Sequence, residues 1–145
     1  MPVYELTHIF FSYDDTIIHS PKKLGFYTSA DSANEAIQYY NKKPGFCDNP
    51  DAYSVRQRFV NGEITNTTVY EVIVYLHTTD YEFETAVELG LFSEVTVAEN
   101  VLKEYCKKNI CLVGSERIVA EQIINKCTLD KREWSEGFSV CGEVD

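Results

Sequence analysis

The feature that most constrains this chain is a pattern that occurs twice. Val3-Tyr4-Glu5-Leu6 returns as Val69-Tyr70-Glu71-Val72, and Leu24-Gly25-Phe26-Tyr27-Thr28 returns as Leu89-Gly90-Leu91-Phe92-Ser93. Ala33, Tyr40, Lys42 and Lys43 then fall on Ala98, Tyr105, Lys107 and Lys108. From residue 24 to 43 the offset is a constant 65, with six identities in twenty positions. Unrelated segments of ordinary composition would share about one or two. The repeated residues are strand and helix builders, so the repeat speaks to architecture and not to chemistry.

Each copy reads as strand, strand, helix, strand. Residues 3–11 alternate with the period of a strand, Tyr4, Leu6, His8 and Phe10 facing one way. Ser12–Lys23 is a polar connection, and Leu24–Thr28 a short second strand. Ser29 or Asp31 can cap a helix with Ala33, Ala36, Ile37 and Tyr40 as its apolar stripe. Pro44-Gly45 stops that helix, Phe46–Asp51 is a turn-rich loop, and Tyr53–Val60 is a third strand. Asn61-Gly62 has the composition of a two-residue hairpin turn, which predicts that the third strand pairs with a fourth starting near Glu63. The second copy places a strand at Glu84–Phe92 and a helix capped by Thr96 and running to Lys108. Residues 115–129 read as helix or strand; a helical turn followed by a strand over about 121–129 is the preferred reading. The expected fold is α+β: two ββαβ repeats, about 1–62 and 63–140, with 141–145 as a tail. Together they are expected to form one compact pseudo-symmetric domain, helices covering one face of a mainly antiparallel sheet.

The charge balance narrows the partners. The 145 residues carry 23 acidic and 13 basic side chains, a net charge of −10. Nucleic acid and anionic membranes both call for a basic face, so neither is expected as a partner. An excess of acid suits steering towards a basic protein. Five cysteines at irregular spacing make a poor disulfide framework. Met1-Pro2-Val3-Tyr4 has neither a basic flank nor an apolar stretch, and no apolar run approaches a membrane span. A cytoplasmic location with reduced thiols is the expectation.

Reactive motifs are few in this sequence. No glycine-rich phosphate loop is present. Cys106 and Cys111 are the closest cysteine pair and lack a second pair at zinc spacing, so no metal or other cofactor is expected. Cys47 with His8 could form a nucleophile and base, but a strand histidine is more often packed than catalytic. Acidic clusters at Asp14, Asp15, Asp48, Asp51, Asp80, Glu82 and Glu84 can form a rim that docks a basic protein. Trp134 and Glu136 are candidates for the anchor beside it, since tryptophan is enriched at the centres of interfaces. The competing reading of Trp134 is a pin that holds the C-terminal segment onto the sheet.

Four blocks carry a family resemblance: Val3-Tyr4-Glu5-Leu6-Thr7-His8; Leu24-Gly25-Phe26-Tyr27-Thr28-Ser29 with Ala33, Ala36 and Ile37; Pro44-Gly45-Phe46-Cys47-Asp48-Asn49-Pro50; and Leu129-Asp130-Lys131-Arg132-Glu133-Trp134-Ser135-Glu136-Gly137-Phe138. In these the chain resembles a small uncharacterised bacterial domain family. The resemblance implies a bacterial origin and a fold, and brings no catalytic residue with it. In that family the loop and the Trp block share one unit of roughly half this length, whereas here Pro50 and Leu129 are far apart in sequence. The chain thus reads as a duplicated unit whose features are divided between its copies. The functional expectation is a non-enzymatic interaction protein, in particular an immunity protein that covers a basic toxin. The alternatives are a small enzyme or ligand-binding module around Cys47 and Asp48, and a structural or regulatory dimerisation domain.

Overall fold

The computed structural model describes residues 1–9, 22–78, 84–108, 112–113, 116–117 and 119–134, with backbone alone between 112 and 120. The chain is mixed α+β. Its elements are β1 (Pro2–His8), β2 (Lys22–Tyr27), α1 (Ala30–Tyr40), β3 (Tyr53–Asn61), β4 (Thr68–His77), β5 (Glu84–Phe92), α2 (Val95–Lys108), β6 (Leu112–Val113), β7 (Glu116–Arg117) and β8 (Val119–Thr128). They form two compact units that are not sequential halves. The first holds Pro2–Arg58 and the chain from Thr128 onward; the second holds Phe59–Cys127 with Met1. Strand β3 is covalently shared, its last three residues belonging to the second unit.

In the first unit the strand order is β2-β1-β3. Strands β1 and β2 are antiparallel, with Tyr4 opposite Tyr27, Glu5 opposite Phe26 and Leu6 opposite Gly25. The next pair is Thr7 with Lys23, so Leu24 is an extra residue, a bulge that twists the hairpin. Gly25 follows it with φ +125, a conformation that side chains with a Cβ rarely adopt. A Cβ there would also lie 2.6 Å from the Lys131 carbonyl oxygen. Helix α1 starts because the Ser29 hydroxyl accepts the Ser32 backbone N–H at 3.0 Å and Asp31 sits in the first turn. Its buried stripe, Ala33, Ala36 and Tyr40, packs with Leu6, Leu24, Tyr27 and Phe46. Each fully buried leucine of this core contributes about 2 kcal/mol.

The first unit is completed by residues that arrive late in the sequence. Asp130 N–H donates to the Phe26 carbonyl at 2.8 Å. Thr28 gives its backbone N–H and its hydroxyl to the two Asp130 carboxylate oxygens, at 2.9 and 2.8 Å. Asp130 adopts φ +60, a left-handed position that aspartate tolerates better than most residues.

In the second unit the order is β3-β5-β4-β8. Strands β4 and β5 pair antiparallel, with Tyr70 opposite Phe92, Glu71 opposite Leu91 and Val72 opposite Gly90. The register then slips so that Ile73 meets Glu88, leaving Leu89 as the extra residue; Gly90 has φ +136. Val72, Val74, Phe92, Ala98 and Leu102 form the core under α2. The end of β3 runs parallel to the end of β5, pairing Val60 with Leu91 and Asn61 with Phe92. Strands β6 and β7 form a separate antiparallel pair.

Four local expectations change. Asn61-Gly62 does not turn β3 back onto β4: β3 pairs with β1 and β5 instead. A type I′ turn needs positive φ at both residues, but among the described residues only Asp130 and the glycines Gly25, Gly45, Gly62 and Gly90 adopt it, so Asn61 does not. Asn61 is held by β5, donating its side-chain N–H to the Leu91 carbonyl at 3.1 Å and accepting the Ser93 N–H at 3.0 Å. Consequently β4 begins at Thr68, not near Glu63. Glu116–Arg117 is strand and not a helical turn, because it pairs with Leu112–Val113. Helix α2 begins at Val95, so Thr96 lies inside it and does not cap it. Among the described residues no helix is long and apolar enough to cross a membrane.

Candidate functional site

The Pro44–Asp51 loop of the first unit follows α1 directly, and backbone bonds fix its course. Cys47 N–H donates to the Lys43 carbonyl at 2.9 Å, Asn49 N–H to Phe46 at 3.1 Å and Ala52 N–H to Asn49 at 3.2 Å. The Asn49 amide donates to the Gly45 carbonyl at 2.9 Å, where Gly45 takes φ +81. Asparagine and glycine occur here for a local reason: one bonds its own turn and the other supplies the positive φ.

Phe46 anchors the loop from beneath. It is fully buried, with ring centroids 5.1 Å from Tyr40, 4.9 Å from His8 and 6.4 Å from both Tyr53 and Trp134. The rings of His8 and Trp134 meet Phe46 edge-on, Tyr53 stacks on it and Tyr40 is tilted, and aromatic pairs stabilise by about 0.5–1.5 kcal/mol each beyond burial. Trp134 adds a polar tie, its backbone N–H donating to the Tyr40 hydroxyl at 3.2 Å. Burial pushes Tyr53 up to about 12 and raises Tyr40 as well. These phenols therefore remain protonated in the physiological range.

The P-G-F-x-D-x-P loop and the Trp block thus meet in one unit despite their distance in sequence. Asp48 and Asp51 are exposed on the loop, and Trp134 is half-buried beside it. Lys22 Nζ lies 5.8 Å above the Trp134 ring, while Lys43 and Arg132 lie over Tyr39 at 5.0 and 4.3 Å. Glu84 belongs to the other unit, at the start of β5 opposite His77. Asp14, Asp15, Asp80, Glu82 and Glu136 lie outside the described residues.

Cys47 and His8 are each engaged elsewhere. His8 Nε2–H donates to the Asn49 carbonyl at 3.1 Å, which fixes the neutral tautomer with its proton on Nε2. The ring is sandwiched edge-on by Phe46 and Tyr53, and burial lowers its pKa. The neutral ring thus ties β1 to the loop. The Cys47 thiol is exposed and donates to Asp48 Oδ1 at 3.8 Å.

Sequence reading left two charged groups of this unit without a role. Asp130 clamps Thr28, as described above. Glu5 is buried on β1, and its carboxylate receives Arg56 Nη2 at 2.6 Å, Arg58 Nη1 at 3.0 Å and Lys23 Nζ at 3.5 Å. The signal for Glu5 was an acid at a strand position with arginines alternating along β3, which is visible only once β1 and β3 are known to be neighbours. Comparison with protein-family models, curated proteins and solved structures returns no match.

Proposed function

We propose that this chain is a non-catalytic interaction protein that docks a basic protein partner through the first unit. One observation supports the reading most: Asp48 and Asp51 stand exposed on a loop held by Phe46 and Asn49, next to the half-buried Trp134. A loop already ordered before binding loses little entropy on docking. Carboxylates on it steer a cationic partner, and the indole supplies the apolar anchor. The net charge of −10 extends the same attraction over a longer range. The biological form of this reading is a bacterial immunity protein that neutralises a basic toxin domain. The free thiols Cys47 and Cys106 suit the reducing cytoplasm in which such a protein would act.

The fold reading that goes with it is an internal duplication. The two hairpins share their order, their register, the position of the extra leucine and the positive-φ glycine after it. The Phe46–Trp134 arrangement belongs to the first unit, which makes that unit the recognition element.

The test is capture of binding proteins from bacterial lysate, and of the product of the adjacent gene, at low and high salt. A basic protein should be retained at about 50 mM salt and released at several hundred millimolar, as screening predicts. The Asp48→Lys, Asp51→Lys double variant should lose it, and Trp134→Ala should weaken it. Equal retention by the charge-reversed variant would remove the basis of the proposal.

A further inference from the structure

The end of β4 carries a histidine whose ring faces two acceptors. His77 Nδ1 lies 2.9 Å from the Thr78 carbonyl oxygen, and Nε2 lies 3.1 Å from Glu121 Oε1 on β8. A carbonyl and a carboxylate only accept, and a neutral imidazole has a single N–H to give. Both bonds therefore exist together only while the ring carries two protons. The His77 side chain is 8% exposed, so water is poorly placed to replace a lost partner. Glu121 is by contrast 59% exposed at its side chain, and it sits near the start of the last strand in the order β3-β5-β4-β8.

We propose that His77 is a pH-controlled latch that holds β8 against the end of β4, closed as the imidazolium and opened on its deprotonation. Two acidic side chains face it among the described residues. Glu121 reaches it from β8, and Glu84 stands opposite it in register on β5. Its own backbone neighbour supplies the Thr78 carbonyl. The bond to Thr78 is the foremost cause that raises the His77 pKa above 6.5, opposed by burial and reinforced by Glu121 and Glu84. A base whose folded pKa is raised contributes stability that is fully present below the unfolded value. The latch is thus complete below pH 6.5 and is lost as pH climbs through the higher folded value. On deprotonation one nitrogen turns a lone pair towards an acceptor, and that bond becomes a repulsion.

The test uses the full chain. The His77 Cε1–H resonance is titrated, and amide exchange is followed at Glu121–Ile124 from about pH 5.5 to 8.5, each rate corrected for its intrinsic pH dependence. The midpoint should lie above 6.5, and protection in β8 should fall about tenfold across it, the scale of one lost hydrogen bond. Glu121→Gln, at an exposed position that folding tolerates, should lower the midpoint and flatten the change in protection. His77→Gln should give weak protection at every pH. A midpoint at or below 6.5, wild-type protection that ignores pH, or Glu121→Gln behaviour identical to wild type would each overturn the proposal.

Discussion

The two units begin with nearly the same hairpin and end in different ways. In each, a strand carrying Tyr-Glu pairs with a strand carrying Leu-Gly, the leucine bulges and the glycine takes a positive φ. The glutamates, Glu5 and Glu71, are both buried. After the helix the two units diverge. The first continues into a loop that drives Phe46 beneath α1, and it is sealed by Asp130 and Trp134. The second continues into the short β6–β7 pair and then β8, with Ile124 packed on its core. The lesson is that the repeated residues specify a supersecondary frame, while the non-repeated ones decide what the frame presents.

That comparison can be broken at several points. The largest effect is expected at Glu5. Glu5→Gln removes the charge that Arg58 and Arg56 meet, and breaking a buried ion pair costs about 3 kcal/mol. Urea denaturation should show a lower midpoint with an unchanged slope. Next come the two bulge glycines. Gly25→Ala combines positive φ with a Cβ 2.6 Å from a backbone oxygen, whereas Gly90→Ala meets only side-chain atoms at 3.3 Å and beyond. Costs of about 3 and about 1.5 kcal/mol are expected, and equal losses would mean that the two hairpins are constrained alike.

A smaller contrast separates the helix starts. Ser29→Ala should cost about 1 kcal/mol because the cap bond to Ser32 is lost. Thr96→Ala should be neutral or slightly stabilising, since Thr96 is inside α2 and alanine is the better helix former. Thermal melting of the two variants decides it. The subtlest difference is in pH response. His8 is held neutral, with a folded pKa below 6.5, so its contribution is complete above pH 6.5 and is lost as pH falls towards the folded value. The stability of wild type relative to His8→Gln should therefore decline on acidification, the opposite of the trend at His77. A wild-type advantage that grows as the pH falls would show that His8 is charged in the folded state.

The strands and helices were legible in the sequence because period and repeat are local signals. Glu84–Phe92 and the α1 stripe lie where alternation and 3.6-residue spacing put them, while the second strand, expected over Leu24–Thr28, runs over Lys22–Tyr27. Neighbour relations were not legible. Asn61-Gly62 has turn composition, but the β5 edge captured Asn61, and no local rule weighs a partner thirty residues away. The same is true of the candidate site. The loop and the Trp block could be recognised as motifs, yet their meeting depends on Asp130 reaching Thr28 across 102 positions. Glu5 gave no warning at all, because a lone acid in a strand looks solvated until its arginines are placed.

The discontinuity of the first unit also sets a timetable for synthesis. Domains usually fold in the order in which they leave the ribosome. Here the residues that close the first unit are translated only after Phe59–Cys127, a nearly continuous stretch that emerges before them. The unit whose synthesis begins first must wait, with Phe46 lacking its tryptophan cover, until the second has been made. A nascent chain halted after Cys127 should therefore resist protease over residues 59–127 while residues 2–58 are still cut.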